Sequence, residues 1–403
     1  MSTNPFTAIA NARIFDGENI TDHSCVLIHD GTIVNVGTHP PADIDVFDAN
    51  GGTLLPGLID AHTHTEPEFL RIALTFGVTT ELEMQGFWSP EQSAYVDEHD
   101  DVADVRSAGL GITPPGGHPH ELIPPQVNQR PGEERQFPYA TSPQRAAEIV
   151  AERVAQGSDY IKVFVEDGRV FDKPGTPVLR DDILRAAVRA AHEHDKIVLA
   201  HTLTADAAQR AIAAGVDGLA HVFLDQGATP ELIDVIVRSG AFVIATTVTC
   251  ASILGHTGAA LAADPRVATR LDETWLGTLR GSIDTFHDSS LDTVLNTVAA
   301  LHRAGVDILA GTDVSHPVEY VGGTAHGASL HEELQLLVRA GLSPVEALRS
   351  ATSVTARRFG LTDRGRVVNG ARADLLLVKG DPTADISDTL NIEAVWRRGV
   401  RLH

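Results

Sequence analysis

The chain has 403 residues, more than a single ordinary core holds, and 43% of them are hydrophobic, enough for a large interior without crosslinks. A formal charge of −23, from 31 basic and 54 acidic side chains, argues against nucleic acid as a partner, because phosphate requires a basic face. Cys25 and Cys250 are too few and too far apart for a disulfide framework or a cysteine-rich zinc site, and they fit a reducing cytoplasm.

The opening residues, Met1-Ser2-Thr3-Asn4-Pro5-Phe6, carry no signal-peptide pattern. No apolar run reaches the roughly 18 residues of a membrane span. Residues 6–15, 23–29 and 32–37 read as short strands, the last two joined by a His29-Asp30-Gly31 turn. A small β module therefore precedes the main body.

Leu54-Leu55-Pro56-Gly57-Leu58-Ile59 reads as a buried strand and leads into Asp60-Ala61-His62-Thr63-His64. Alternate strand residues share a face, so His62 and His64 project together from the strand's C-terminal end. Two imidazoles make half of a zinc-type site. The remaining ligands must come from elsewhere in the chain.

A second strand is expected over Gly77–Met84 and a third through Leu110-Gly111-Ile112-Thr113. Next come Pro114-Pro115-Gly116-Gly117-His118-Pro119-His120 and a proline-rich stretch to about Pro138. That connection is long for a βα unit and reads as an active-site loop, with His118 and His120 as candidate substrate contacts. Ser142-Pro143 caps a helix over 143–156. Strands at 159–165, 197–201, 217–222, 241–246 and 306–312 then alternate with helices at 181–194, 204–214, 230–239 and segments from 264 to 304. Counted from Leu54, eight strands alternate with helices, which predicts an α/β fold of the (β/α)8 TIM-barrel type. The last barrel helices fall near 327–340 and 343–358.

Short strands return in the tail at Gly365–Val367, Ala373–Val378 and Ala394–Arg397. Paired with the N-terminal strands, they predict a discontinuous β-sandwich built from both termini. The expected division is 1–56 and 365–403 for the β-sandwich, and 57–364 for the barrel.

Polar residues end several barrel strands. Lys162 lies within Asp159-Tyr160-Ile161-Lys162-Val163-Phe164-Val165, where burying an unpaired amine is costly. A carboxylate partner, an escape to the rim and a chemical modification all remain open for it. Ala200-His201 ends one strand, Ala220-His221 the next, and Gly311-Thr312-Asp313 the last. Four histidines and an aspartate at the strand ends of one barrel point to metal binding.

With these residues in view, the chain resembles the amidohydrolase superfamily of metal-dependent hydrolases. The matching segments are Pro56–His64, Lys162, His201, His221 and Gly311-Thr312-Asp313. Two further matches are Ser343-Pro344-Val345-Glu346-Ala347-Leu348-Arg349-Ser350-Ala351-Thr352 and Gly370-Ala371-Arg372-Ala373-Asp374-Leu375-Leu376. The resemblance covers essentially the whole chain. It is greatest to the branch of imidazolonepropionase-like proteins and Xaa-Pro dipeptidases, where a strand like Tyr160-Ile161-Lys162-Val163 is common.

The resemblance implies two divalent ions, expected to be Zn2+, and a CO2-derived carbamate on Lys162 that bridges them. By position, His62, His64 and Asp313 would hold one ion, and His201 and His221 the other. A hydroxide shared by the metals would attack a small-molecule amide. Asp313 would act first as general base and then as general acid toward the leaving nitrogen. A homo-oligomer is expected, with neither nucleic acid nor membrane as partner.

Mononuclear deaminases of this fold carry His-x-x-Glu after strand five, whereas this chain has His201-Thr202-Leu203-Thr204. That difference favours amide cleavage over deamination; the alternative is cyclic-amide or lactone opening, or deamination, on the same fold. The cleaved amide would belong to an N-acyl amino acid, a dipeptide or an aryl amide. Phe87, Trp88, Phe164 and Phe223 lie near strand ends and are candidate pocket walls. Gly116-Gly117-His118-Pro119 departs from the family's Gly-Gly-His-Gly, and no basic residue stands out as a clamp for an α-carboxylate. His326 and His331 read as structural.

Overall fold

The N-terminal sequence forms five short strands: β1 (Phe6–Ala10), β2 (Arg13–Ile14), β3 (Cys25–His29), β4 (Thr32–Gly37) and β5 (Asp45–Asp48). They belong to a computed structural model that describes residues 6–86, 88–122, 139–318 and 321–402. Asn11, at φ 56°, breaks the run expected over 6–15 into β1 and β2. Asp30 and Gly31 both adopt positive φ, 45° and 74°, as a two-residue hairpin turn between β3 and β4 demands. The strand β5, absent from the sequence reading, has a largely exposed pattern and pairs in parallel with β1.

The apolar run expected as one strand is two. β6 (Thr53–Pro56) ends at Pro56, and β7 (Leu58–Thr63) begins two residues later. Gly57 makes the crossing, because a Cβ there would meet Thr79 Oγ1 at 2.2 Å. β7 joins β8 (Val78–Glu83) and β9 (Asp104–Ser107) in a three-stranded parallel sheet. The third strand therefore lies earlier than the expected 110–113. The sequence Asp104-Val105-Arg106-Ser107 is polar and hides its strand character, because Asp104 is buried in ion pairs.

Five further parallel strands form the second sheet: β10 (Ile161–Phe164), β11 (Val198–His201), β12 (Gly218–Ala220), β13 (Phe242–Ile244) and β14 (Ile308–Leu309). Hydrogen bonds connect the two sheets at both edges. On one side Ile112 N donates to Lys162 O at 2.8 Å and Phe164 N to Ile112 O at 3.0 Å. On the other, Ala61 N donates to Ala310 O at 3.0 Å and His64 N to Val314 O at 2.8 Å. The result is a TIM-barrel-like α/β arrangement.

Helices alternate with these strands. Pro143–Ala155 starts where Ser142 accepts from Arg145 N, as its Ser-Pro opening predicts. Asp181–Glu193 buries Ile183, Leu184, Ala187, Val188 and Ala191 on one face, the spacing of an amphipathic helix. The region expected as one helix over 343–358 is two, Pro344–Ser350 and Ser353–Arg358. Among the described residues, no helix is long and apolar enough to cross a membrane.

Beyond the helices, β15 (Leu375–Val378), β16 (Ile392–Arg397) and β17 (Val400–Arg401) extend the sheet order to β17-β16-β15-β6-β2. The expected strand at Gly365–Val367 is not formed; the segment bends, with Gly365 at φ 76°. A separate four-stranded sheet runs β4-β3-β1-β5. Ile9, Val26, Ile33, Leu54, Leu375 and Trp396 share one apolar cluster, so strands from both ends of the chain are packed together.

Candidate metal centre

Short strands end where the candidate ligands begin. His221 directly after β12, and Asp313 four residues beyond β14, adopt positive φ, 80° and 56°. Such strain in non-glycine residues persists only where the surroundings fix it. Here His221 N donates to Ile244 O at 3.0 Å, and Asp313 N donates to His62 O at 2.8 Å.

Two convergent sets of ligand atoms result. Asp313 Oδ1 lies 3.1 Å from His62 Nε2 and 3.0 Å from His64 Nε2. His221 Nε2 lies 3.0 Å from His201 Nδ1. The sets adjoin, since the His62 and His221 rings are 4.8 Å apart, and ligand atoms of His62, His221 and Asp313 all fall within 4.8 Å of one another. Five of the six positions singled out in the sequence are therefore brought together.

Lys162 completes the group. It is 1% exposed, and its Nζ lies 3.4 Å from His62 Nε2. Among the described residues no carboxylate forms an ion pair with Nζ and the side chain does not reach the rim; Asp313 and Glu83 attract the amine only from beyond ion-pairing distance, and burial outweighs them. Burial pushes its ammonium down to about 7, which favours the free amine.

Three of the histidines, His62, His201 and His221, are held in the form that can take a metal. Burial keeps His62 down to about 3 and holds His201 and His221 well below the usual histidine range. Neutral imidazoles keep a lone pair for coordination. Burial pushes the Asp313 carboxyl up. The electrostatic influence of the His62 and His221 imidazoles, with hydrogen bonds from His62 and His64, outweighs that and holds it well below the carboxylate range. An anionic oxygen among neutral nitrogens, with a buried amine beside them, is the donor chemistry of a divalent-metal site.

Surrounding groups orient these side chains. Asp60, fully buried, accepts from His62 N at 3.2 Å, Thr312 N at 3.0 Å and Thr312 Oγ1 at 2.7 Å, tying β7 to the Asp313 turn. The Thr246 hydroxyl is 2.8 Å from His221 Nδ1, which leaves Nε2 facing the site. The sequence reading quoted Asp60 and Thr312 within motifs without assigning them a task, and it passed over Thr246.

The candidate substrate contacts separate. His118 stacks on His201 with ring centroids 4.3 Å apart, and Phe164 is 5.7 Å from His201, so both border the centre. His120 is tied into its loop, with Nε2 2.8 Å from the Tyr139 hydroxyl and Nδ1 2.9 Å from Gly117 O. Phe223 is buried in the main apolar core, and Trp88 packs against that core. Phe87 lies outside the described residues. His326 faces Glu81, and His331 faces Thr389 Oγ1 and Phe76 O, consistent with structural roles.

A model of the Amidohydrolase family matches residues 53–402. The chain belongs to the amidohydrolase family. This amidohydrolase is 29% identical over 367 residues to an uncharacterized protein of Mycobacterium tuberculosis, covering 86% of this chain and 84% of that one. Among solved structures it is similar to an amidohydrolase at 26% identity and TM-score 0.76, with 98% of each chain covered. A Xaa-Pro dipeptidase with bound methionine in its active site aligns at 22% identity and TM-score 0.76, over 99% of this chain and 100% of that one, and shows the shared fold. Membership makes the protein a hydrolase acting on carbon–nitrogen bonds, in a family that generally uses divalent metal ions.

Proposed function

We propose that this amidohydrolase is a binuclear enzyme that cleaves the amide C–N bond of a small molecule, an N-acyl amino acid, a dipeptide or an aryl amide. The observation that carries the reading is the pairing of two convergent ligand sets with a buried Lys162 that forms no ion pair among the described residues. His62, His64 and Asp313 would hold one ion and His201 with His221 the other. The Lys162 amine would add to CO2 and lose a proton, giving a carbamate anion able to serve both.

Two divalent ions, most simply Zn2+, would acidify a water and polarise the amide carbonyl. The protein's own contribution starts with Asp313, whose Oδ1 sits between two imidazoles and whose side chain is 19% exposed. It can take a proton from water and return it to the leaving nitrogen, which amides need because amines depart poorly unprotonated. His118 and Phe164 would border the substrate beside His201.

The same reading takes residues 57–364 as a closed eight-stranded barrel and 1–56 with 365–403 as a β-sandwich. The hydrogen bonds at both sheet edges and the apolar cluster shared by strands from both termini support it.

The test is a hydrolysis screen on protein reconstituted with zinc and bicarbonate. The panel holds N-acyl amino acids, dipeptides including Xaa-Pro, aryl amides, cyclic amides and lactones. The expected result is free amine from a linear amide, lost on chelation. Ammonia release or ring opening alone would move the assignment to a deaminase or a cyclic-amide or lactone hydrolase.

A further inference from the structure

Glu166 follows β10 by two residues and was not among the side chains the sequence singled out. It is 2% exposed. Its Oε2 lies 3.5 Å from His201 Nε2. Among the described residues, neither of these two buried atoms has a hydrogen-bond partner. A buried donor and a buried acceptor both left unsatisfied destabilise the fold, because each has lost its water without gaining a partner. The two orphaned atoms are within ion-pairing distance of one another.

The carboxylate is fixed from behind. Glu166 Oε1 accepts from Gly168 N at 2.8 Å. Gly168 is at φ 79°, and a Cβ there would meet Lys173 O at 2.1 Å, so this turn requires glycine. The turn continues into Phe171, whose ring stacks on His118 at 5.3 Å and 14°. His118 in turn stacks on the His201 ring at 4.3 Å. His201 is thus bounded on one face by His118, at Nδ1 by His221, and at Nε2 by Glu166.

We infer that Glu166 is a positioning residue for His201, accepting Nε2–H so that Nδ1 keeps its lone pair toward His221 and the second metal ion. An imidazole has two tautomers, and only one leaves Nδ1 free for coordination. A carboxylate at Nε2 selects that tautomer, orients the ring and makes Nδ1 more basic. Thr246 does the corresponding work for His221 from a hydroxyl, at Nδ1 rather than Nε2. Glu166 therefore acts on one ion of the pair, and the His62, His64 and Asp313 set is not addressed by it.

The inference rests on the binuclear reading, and metal uptake separates the two. Full-length protein is stripped with chelator, supplied with bicarbonate and titrated with cobalt(II), following the visible absorption and the heat of binding. The wild type is expected to take up two equivalents. Glu166→Ala and Glu166→Gln are expected to bind the first as the wild type does and the second about 10–100-fold more weakly. Glu166→Asp, which keeps the carboxylate, is expected to recover part of that loss.

Unchanged affinity for both equivalents would overturn the inference, and a raised KM in the same variants would then assign Glu166 to a cationic substrate group instead. Equal loss of both equivalents would overturn it too, because Glu166 would then be supporting the fold. A wild type that takes up a single ion would instead overturn the binuclear reading itself.

Discussion

His201 Nδ1 and His221 Nε2 face one another at 3.0 Å, and the Thr246 hydroxyl at 2.8 Å from His221 Nδ1 decides which nitrogen does so. On the proposed binuclear reading, replacing His221 by alanine should reduce metal content from two equivalents to one and lower turnover by more than the roughly 100-fold that losing an orienting partner brings. Thr246→Val keeps the shape and removes the hydroxyl. It should weaken binding of the second ion about 10–100-fold and leave secondary structure unchanged. Elemental analysis after dialysis checks both, and two retained equivalents in His221→Ala would refute the ligand assignment.

Lys162 opposes stability in the metal-free protein, because the loss of water on burying its amine outweighs the attraction of Asp313 and Glu83, neither of which forms an ion pair with it. Lys162→Met should raise the Tm of the metal-free protein by roughly a few degrees while abolishing turnover. Wild type prepared in 13C-bicarbonate should show a carbamate carbon resonance that Lys162→Met lacks. A resonance common to both proteins would place the label elsewhere.

Asp104 links the parallel sheet to the tail, with Arg364 as a close partner and Arg372 Nη1 at 2.8 Å from Oδ2. Burial pushes its carboxyl up, but the charges of Arg364, Arg106 and Arg372 outweigh that and hold it well below the ordinary range. The folded value lies below the unfolded one, so stability from this group is complete above about pH 4 and is lost as pH falls. Asp104→Asn should cost about 3–5 kcal/mol at neutral pH, since it leaves buried guanidinium groups short of their anion. Its Tm should also fall less steeply with acid than that of the wild type. Parallel acid slopes in the two proteins would remove Asp104 from the account.

At the strand crossing, Gly57→Ala places a methyl 2.2 Å from Thr79 Oγ1 and 2.4 Å from its Cγ2. Overpacking of this kind should cost about 1–3 kcal/mol. Thr79→Ala in the same chain removes the two nearest atoms, so the double mutant should recover part of the loss, a coupling of about 0.5–3 kcal/mol. Strict additivity in denaturant unfolding would show that the contact is not the cause.

Most of the centre was legible because ligands at strand ends leave a sharp signature, an apolar run followed at once by His or Asp. His201, His221 and Asp313 are of that kind, and alternation alone paired His62 with His64. The orienting groups were less visible. Glu166 also follows an apolar strand, but Asp167 and Gly168 make it look like the start of an ordinary polar turn. Thr246 is one of three threonines among four residues, and only its contact with His221 distinguishes it. In the fold, β9 escaped notice because its first residue, Asp104, is buried in ion pairs formed with the far end of the chain. The division of Leu54–Ile59 into two strands depends on Thr79, more than twenty residues away, which no local pattern reports.

That division has a mechanical consequence. Leu375 pairs with Pro56, and six residues later the same backbone presents His62. The C-terminal strand is therefore a splint on the segment that carries the first ligand. Shortening the chain before Leu375 would leave β6 with only the two-residue β2 beside it and slacken β7 at its root. Conversely, filling the centre should slow amide exchange along Leu376 and Leu377, so the tail would report occupancy of a site it does not line.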